Sequence, residues 1–146
     1  PVRMVLDSNL RMPLDSRLVR SAASQPLWIV CGEDAPAERR QALAAAGCRI
    51  VAGESHDGRI ALPELMDDLD AQGISTVLVE GGAGVAQGFL AEKLGDRRAV
   101  FSSPLVIGAS EGIAVRGLEA HIAEEFEILR QARYGDDAYT EYVRKT

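Results

Sequence analysis

The stretch from residue 76 to 90, Thr-Val-Leu-Val-Glu-Gly-Gly-Ala-Gly-Val-Ala-Gln-Gly-Phe-Leu, constrains the fold more than any other part of this chain. An apolar run ends in Glu80, crosses a glycine cluster and enters an amphipathic pattern. Thr76 to Val79 are β-branched or apolar and predict a buried strand, while Val85, Phe89 and Leu90 recur at helical spacing on one face. At Gly81, Gly82 and Gly84 no Cβ keeps a ligand away from the backbone, and the first N–H groups of the following helix lack intrahelical partners. A pyrophosphate suits such a place. So does a second reading, a tight strand-to-helix turn with no ligand.

The dinucleotide fingerprint G-x-G-x-x-G is not matched: Gly82 and Gly84 take its first two places, but Gln87 stands in the third and Gly88 comes one residue late. No acid follows about twenty residues on to hold a ribose, and the cluster follows a late strand of the chain. An ordinary Rossmann site is therefore not expected. Glu80 favours a ligand, because a carboxylate at the carboxyl end of a strand in an open α/β sheet lies where such folds bind their substrates.

With 146 residues, 47% of them hydrophobic and 26% charged, the chain can bury one core and is expected to form a single domain. A net charge of −6 argues against a nucleic-acid or anionic-membrane surface. The adjacent pairs Arg39-Arg40 and Arg97-Arg98 read as solvated faces. Cys31 and Cys48, with no second pair and no clustered histidines, give no metal site. The longest apolar stretches fall short of the roughly 20 residues a bilayer needs, and reduced thiols suit a cytoplasmic protein.

Along the chain, strands are expected at 2–6, 27–31, 48–52 and 76–80. Helices are expected at 35–46, with Pro36 near its start and Gly47 at its end, and at 62–72, between Pro63 and Gly73. Residues 53–58 read as a polar loop. After the helix that follows the glycines the alternation stops. Strands are then expected at 99–103, 125–132 and 138–144, the last two joined through Tyr134-Gly135-Asp136-Asp137 as a hairpin. A mainly parallel α/β sheet flanked by helices is thus finished by an antiparallel C-terminal hairpin.

Read together, Pro1-Val-Arg-Met-Val-Leu-Asp-Ser8, Val79-Glu80-Gly81-Gly82, Leu94-Gly95-Asp96 and Ser103-Pro104-Leu105-Val106-Ile107-Gly108 resemble the reductase domain of the bifunctional riboflavin biosynthesis deaminase/reductase, which has the dihydrofolate reductase-like fold. The resemblance spans nearly the whole chain. It implies an NADPH-dependent oxidoreductase, commonly a homodimer, that takes a small-molecule substrate, a phosphoribosylaminopyrimidine, and reduces its ribosylamino group to the ribitylamino form. It also implies that Ser8 lies near the adenosine end of NADPH, that the glycine segment (Gly81, Gly82, Ala83, Gly84, Val85, Ala86, Gln87 and Gly88) binds the cofactor's phosphates, and that Glu80 touches the substrate. Arg11 is a further candidate for the 2′-phosphate, since an Arg fork suits a phosphate; it reads equally as a solvated loop residue.

No catalytic residue of the chain itself is expected, because the cofactor carries the hydride. Ser16, Ser21, Ser24, Ser55, His56 and His121 read as loop or surface residues, none standing in a G-x-S-x-G or similar setting. Family members carry a further stretch before the Pro-Val-Arg-Met-Val strand, so residues 1–146 are expected to be one partial reductase domain, inactive alone. Bifunctional members also carry a zinc deaminase domain whose ligands this sequence lacks. Two other readings stay open: a non-catalytic nucleotide-binding fragment or decayed reductase, and a reductase of a pterin-like heterocycle.

Overall fold

The structure is a computed structural model and describes residues 1–106 and 122–146. They cluster into two compact units, Pro1–Ser75 and Thr76–Thr146.

The first unit is built on three parallel strands in the order β1 (Arg3–Leu6), β2 (Leu27–Gly32) and β3 (Arg49–Gly53). The register runs Val5 with Ile29 and Ile29 with Ile50. Parallel strands need crossovers; here they carry α1 (Arg17–Arg20) and α2 (Ala37–Ala45). The central strand β2 buries Leu27, Ile29, Val30 and Cys31, the near-continuous apolar run of a parallel strand covered on both faces. They join Leu10, Val19, Ala22, Ala35, Leu43 and Cys48 in the core. Each fully buried Leu, Ile or Val contributes about 1.5–3 kcal/mol. Trp28, within this strand, is only half-buried; the Arg49 guanidinium covers its ring at 4.0 Å.

The punctuation read from sequence sits where it should. Helix α2 starts behind Pro36 and ends at Gly47, whose φ of +91° is the left-handed turn that lets Cys48 N–H reach back to Leu43 C=O at 3.1 Å. Helix α3 (Leu62–Ala71) buries Leu62, Leu65 and Leu69 and ends in the same way at Gly73. Between β3 and α3 lies a small antiparallel hairpin, β4 (Ser55–His56) and β5 (Arg59–Ile60), where a polar loop was expected. Its turn is Asp57-Gly58, both with positive φ, a pairing that matches the twist of a two-residue hairpin.

In the second unit, residues 76–82 form no strand, and Val77, Leu78 and Val79 are exposed, Leu78 at 80%. The expected buried strand is therefore not formed among the described residues. Composition supplies strand propensity, but a strand exists only where a neighbour accepts its hydrogen bonds. Helix α4 (Ala83–Ala91) follows, with Phe89 buried and Leu90 half-buried. Then come β6 (Arg97–Ser102), a short helix α5 (Ile122–Glu125), β7 (Phe126–Tyr134) and β8 (Asp137–Arg144), forming an antiparallel sheet in the order β6-β8-β7. Gly135, at φ +65°, turns β7 into β8 as expected.

The sheet is tied to the end of α4 through one arginine. Arg144 donates to the carbonyls of Lys93 (2.7 Å) and Gly95 (2.9 Å), and its backbone N–H reaches Asp96 C=O at 2.8 Å. Glu125 accepts from Lys93 at 2.6 Å and from Arg144 at 3.2 Å. Phe126 is buried beneath Arg98 and Arg144, 4.0 and 4.9 Å from its ring centre. The Leu94-Gly95-Asp96 motif is thus the seat of this anchor.

Candidate functional site

The glycine turn opens α4 as its sequence requires. Gly82 is the N-cap, with extended backbone and no side chain to cap the helix. The first helical bond runs from Ala86 N–H to Gly82 C=O at 3.1 Å. Helix geometry therefore leaves the N–H groups of Ala83, Gly84 and Val85 without intrahelical acceptors, at the positive end of the helix dipole.

The three glycines differ in role. A Cβ at Gly81 would stand 2.7 Å from Val85 Cβ, so Gly81 is needed for the chain to pack against the first turn of its own helix. A Cβ at Gly82 or Gly84 would meet nothing within 4 Å. Their open side faces solvent, as a bound phosphate would require. Gly82 has φ −64°, which any residue can adopt, so open space and not backbone freedom is what glycine provides there. Gln87 and Gly88 lie inside the helix. Glu80 is exposed immediately before the turn and makes no hydrogen bond or ion pair with a described residue.

In the first unit, Ser8, Gly32 and Gly53 mark the carboxyl ends of the three parallel strands, the edge at which open α/β sheets bind ligands. Ser8 is half-buried in the turn after β1, and its C=O accepts from Gly32 N–H at 3.0 Å. Arg11, three residues on, is exposed. The segment between them includes Leu10, fully buried at φ +54°. A bulky residue in the left-handed region costs about 1–2 kcal/mol, and its surroundings must hold it there.

Two residues of this edge escaped sequence reading. Arg39 and Arg40, expected to be solvated, are half-buried on α2 and grip backbone carbonyls. Arg39 donates to Leu10 C=O (2.9 Å) and Met12 C=O (2.5 Å). Arg40 donates to Gly32 C=O (2.6 Å), Glu33 C=O (2.7 Å) and Ala35 C=O (3.1 Å). Nothing in an adjacent arginine pair marks it for this task; the partners of Arg39 lie 27 and 29 residues away in sequence.

The remaining candidates are ordinary. Ser16 caps α1 by accepting from Val19 N–H at 3.3 Å, and Ser21 and Ser24 bond local carbonyls. Cys31 and Cys48 are free and buried, and desolvation raises both thiols above their usual range. Glu54, His56 and Glu64 bring ligand atoms within 4.8 Å of one another, but around a metal bonded at 2.0–2.1 Å neighbouring ligands stand about 3.4 Å apart, so this exposed group is not preformed. His121 and the residues Ile107 and Gly108 of the Ser-Pro-Leu-Val motif lie outside the described residues.

Comparison with known proteins places this arrangement in a family. The RibD C-terminal domain family matches residues 1–138, and the chain belongs to it. The chain is 31% identical over 149 residues to a 2,5-diamino-6-ribosylamino-4(3H)-pyrimidinone 5′-phosphate reductase of Methanothermobacter thermautotrophicus, covering 99% of this chain and 67% of that protein. It is 31% identical over 110 residues to the riboflavin biosynthesis protein RibD of Bacillus amyloliquefaciens, covering 75% of this chain but 29% of that one. The chain thus spans under a third of that RibD. Among solved structures, a pyrimidine reductase-like protein of Corynebacterium diphtheriae superimposes with a TM-score of 0.77 at 16% identity, covering all of this chain and 62% of that one. Acinetobacter baumannii RibD superimposes with a TM-score of 0.74 at 24% identity, covering all of this chain and 38% of that one. These two likenesses establish the fold, α/β with a parallel sheet, helices and an antiparallel hairpin.

Proposed function

We propose that residues 1–146 form part of one reductase domain that uses NADPH to reduce the ribosylamino group of a phosphoribosylaminopyrimidine to the ribitylamino form, a step of riboflavin biosynthesis. The observation that carries the reading is the open space over Gly82 and Gly84 at the N–H groups of α4 that lack intrahelical acceptors, in a chain that belongs to the RibD C-terminal domain family. The residues fit a pyrophosphate: converging N–H donors, the positive helix end, and no Cβ in the way.

The bound cofactor would supply the hydride. The task of this chain is to bind and orient. The segment from Gly81 to Gly88, the glycine turn and the start of α4, holds the phosphates, Ser8 lies toward the adenosine, and Glu80 receives a donor of the pyrimidine or ribose. A carboxylate there aligns the substrate carbon without itself transferring a proton. The reading includes a homodimer working in the cytoplasm, for which light scattering on the purified protein is the direct check of assembly.

The test uses the full-length protein as its gene encodes it. Gly82→Val fills the space over the turn and should weaken NADPH binding in calorimetry by more than one lost hydrogen bond, about 1 kcal/mol. Glu80→Gln keeps the shape and removes the charge. It should lower substrate affinity or turnover by about one to three orders of magnitude, the scale of a charge-assisted bond at about 1.5–3 kcal/mol plus misalignment, with NADPH affinity nearly unchanged. Unaltered NADPH affinity in Gly82→Val refutes the cofactor assignment, and unaltered steady-state reduction in Glu80→Gln makes Glu80 a residue of the turn only. NADPH binding with no turnover of any pyrimidine would identify a non-catalytic nucleotide-binding module, and turnover of a pterin instead would change the substrate.

A further inference from the structure

The loop from Asp7 to Met12 is held at more points than a surface loop needs. Asp7 N–H reaches Val30 C=O at 2.9 Å, Leu10 N–H returns to Asp7 C=O at 2.9 Å, and Met12 N–H reaches the Asp7 carboxylate at 2.8 Å. Gly32 N–H fastens Ser8 C=O to the end of β2. These bonds leave the carbonyls of Leu10 and Met12 to be satisfied, and the Arg39 guanidinium takes both with two of its donors. The pair of carbonyls flanks Arg11. The backbone on either side of that exposed cation is therefore pinned to α2, and Leu10 is kept in its left-handed, buried conformation.

The geometry has two chemical consequences. A planar fork meeting two carbonyls fixes their separation, which a single ammonium cannot do. Arg39 also has no ion pair with an acid among the described residues, and its two carbonyl contacts hold its charge at the loop that carries Arg11.

We propose that Arg39 is a positioning residue for cofactor binding: by fixing the carbonyls of Leu10 and Met12 it sets the loop that presents Ser8 and Arg11 at the carboxyl edge of the parallel sheet. This rests on the reading of Ser8 as a residue at the cofactor's adenosine end. Arg39 touches no reacting atom and acts through the loop alone.

The test compares Arg39→Ala, Arg39→Lys and Gly82→Val in the full-length protein. It measures the NADPH dissociation constant by calorimetry, the KM for NADPH and for the pyrimidine, kcat at saturating cofactor, and Tm. Arg39→Ala should raise both the dissociation constant and the KM for NADPH by about ten- to a hundredfold, the scale of a misplaced binding group, with kcat and the pyrimidine KM unchanged. Arg39→Lys, reaching one carbonyl, should recover part of the loss, and it carries the test if the alanine variant fails to fold. If both Arg39 variants lower Tm while the folded protein binds NADPH as before, Arg39 only holds the fold and the proposal is wrong. A kcat that falls in step with cofactor affinity overturns it as well. Loss of affinity in Gly82→Val without loss in the Arg39 variants sinks this inference alone; unchanged affinity in all three sinks the cofactor reading beneath it.

Discussion

At the scale of single residues, the glycine turn shows what sequence can and cannot say. Three glycines in four positions signalled a close approach of backbone to something, but the letters are identical and their reasons differ. Gly81 is required by Val85 in the same chain, whereas Gly82 and Gly84 look onto empty space. Which Cβ collides depends on the path of the backbone, which no spacing rule contains. Gly81→Ala should therefore destabilise the protein by about 1–3 kcal/mol, the range of an overpacked site. Gly82→Ser should be neutral or slightly stabilising, since serine fits the space and is a better N-cap. Thermal melts of the two variants check this; a Gly81→Ala protein that melts with the wild type would mean that the helix start has room the geometry denies. The arginines teach the complementary lesson, because Arg39 and Arg40 were read as an adjacent charged pair, while Arg39 holds carbonyls of a distant loop and Arg40 those of the segment that leads into its own helix.

At the scale of elements, strands and helices were legible wherever punctuation accompanied periodicity. Pro36 and Gly47 bracket α2, Pro63 and Gly73 accompany α3, and Gly135 turns β7 into β8, each close to its expected place. The β4–β5 hairpin was missed although Asp57-Gly58 announces it, because strands of two residues carry no periodicity. The opposite error occurred at Thr76 to Val79, where strong propensity met no pairing partner among the described residues. Helix α4 supports the helical spacing read from its sequence, with Phe89 only 9% exposed. Phe89→Ala should cost about 3–5 kcal/mol through the cavity it leaves. Urea denaturation of the variant is the measurement, and an unchanged midpoint would show that Phe89 is not packed.

At the scale of the molecule, the order of a parallel sheet followed by an antiparallel one could be read from the alternation of elements and its end. The division of the chain between Ser75 and Thr76 could not, since it is defined by which residues contact one another in the fold. The second unit also carries an acid response that only the structure shows. The Lys93 hydrogen bond, aided by Arg144 and opposed by desolvation, holds Glu125 below the ordinary glutamate value of 4.5. A depressed carboxylate contributes stability above the unfolded-state value, and that contribution is lost as pH falls through the lower folded-state value. Stability followed by denaturation from pH 7 down to pH 3 should therefore fall less steeply in Glu125→Gln, which has no proton to take up, than in the wild type. Equal slopes would show that the Lys93–Glu125–Arg144 anchor does not operate in solution.

The run before α4, unpaired among the described residues, also sets a clock. From Thr76 to Gly82 no backbone amide donates to a described residue, so deuterium should replace these protons at close to the rate of a free peptide. The amides of β2 are enclosed between β1 and β3 and exchange only when that sheet opens. A labelling pulse brief enough to spare β2 would therefore mark the residues around Glu80 and Gly82 first, and any ligand that closes over them would be seen as label that fails to arrive.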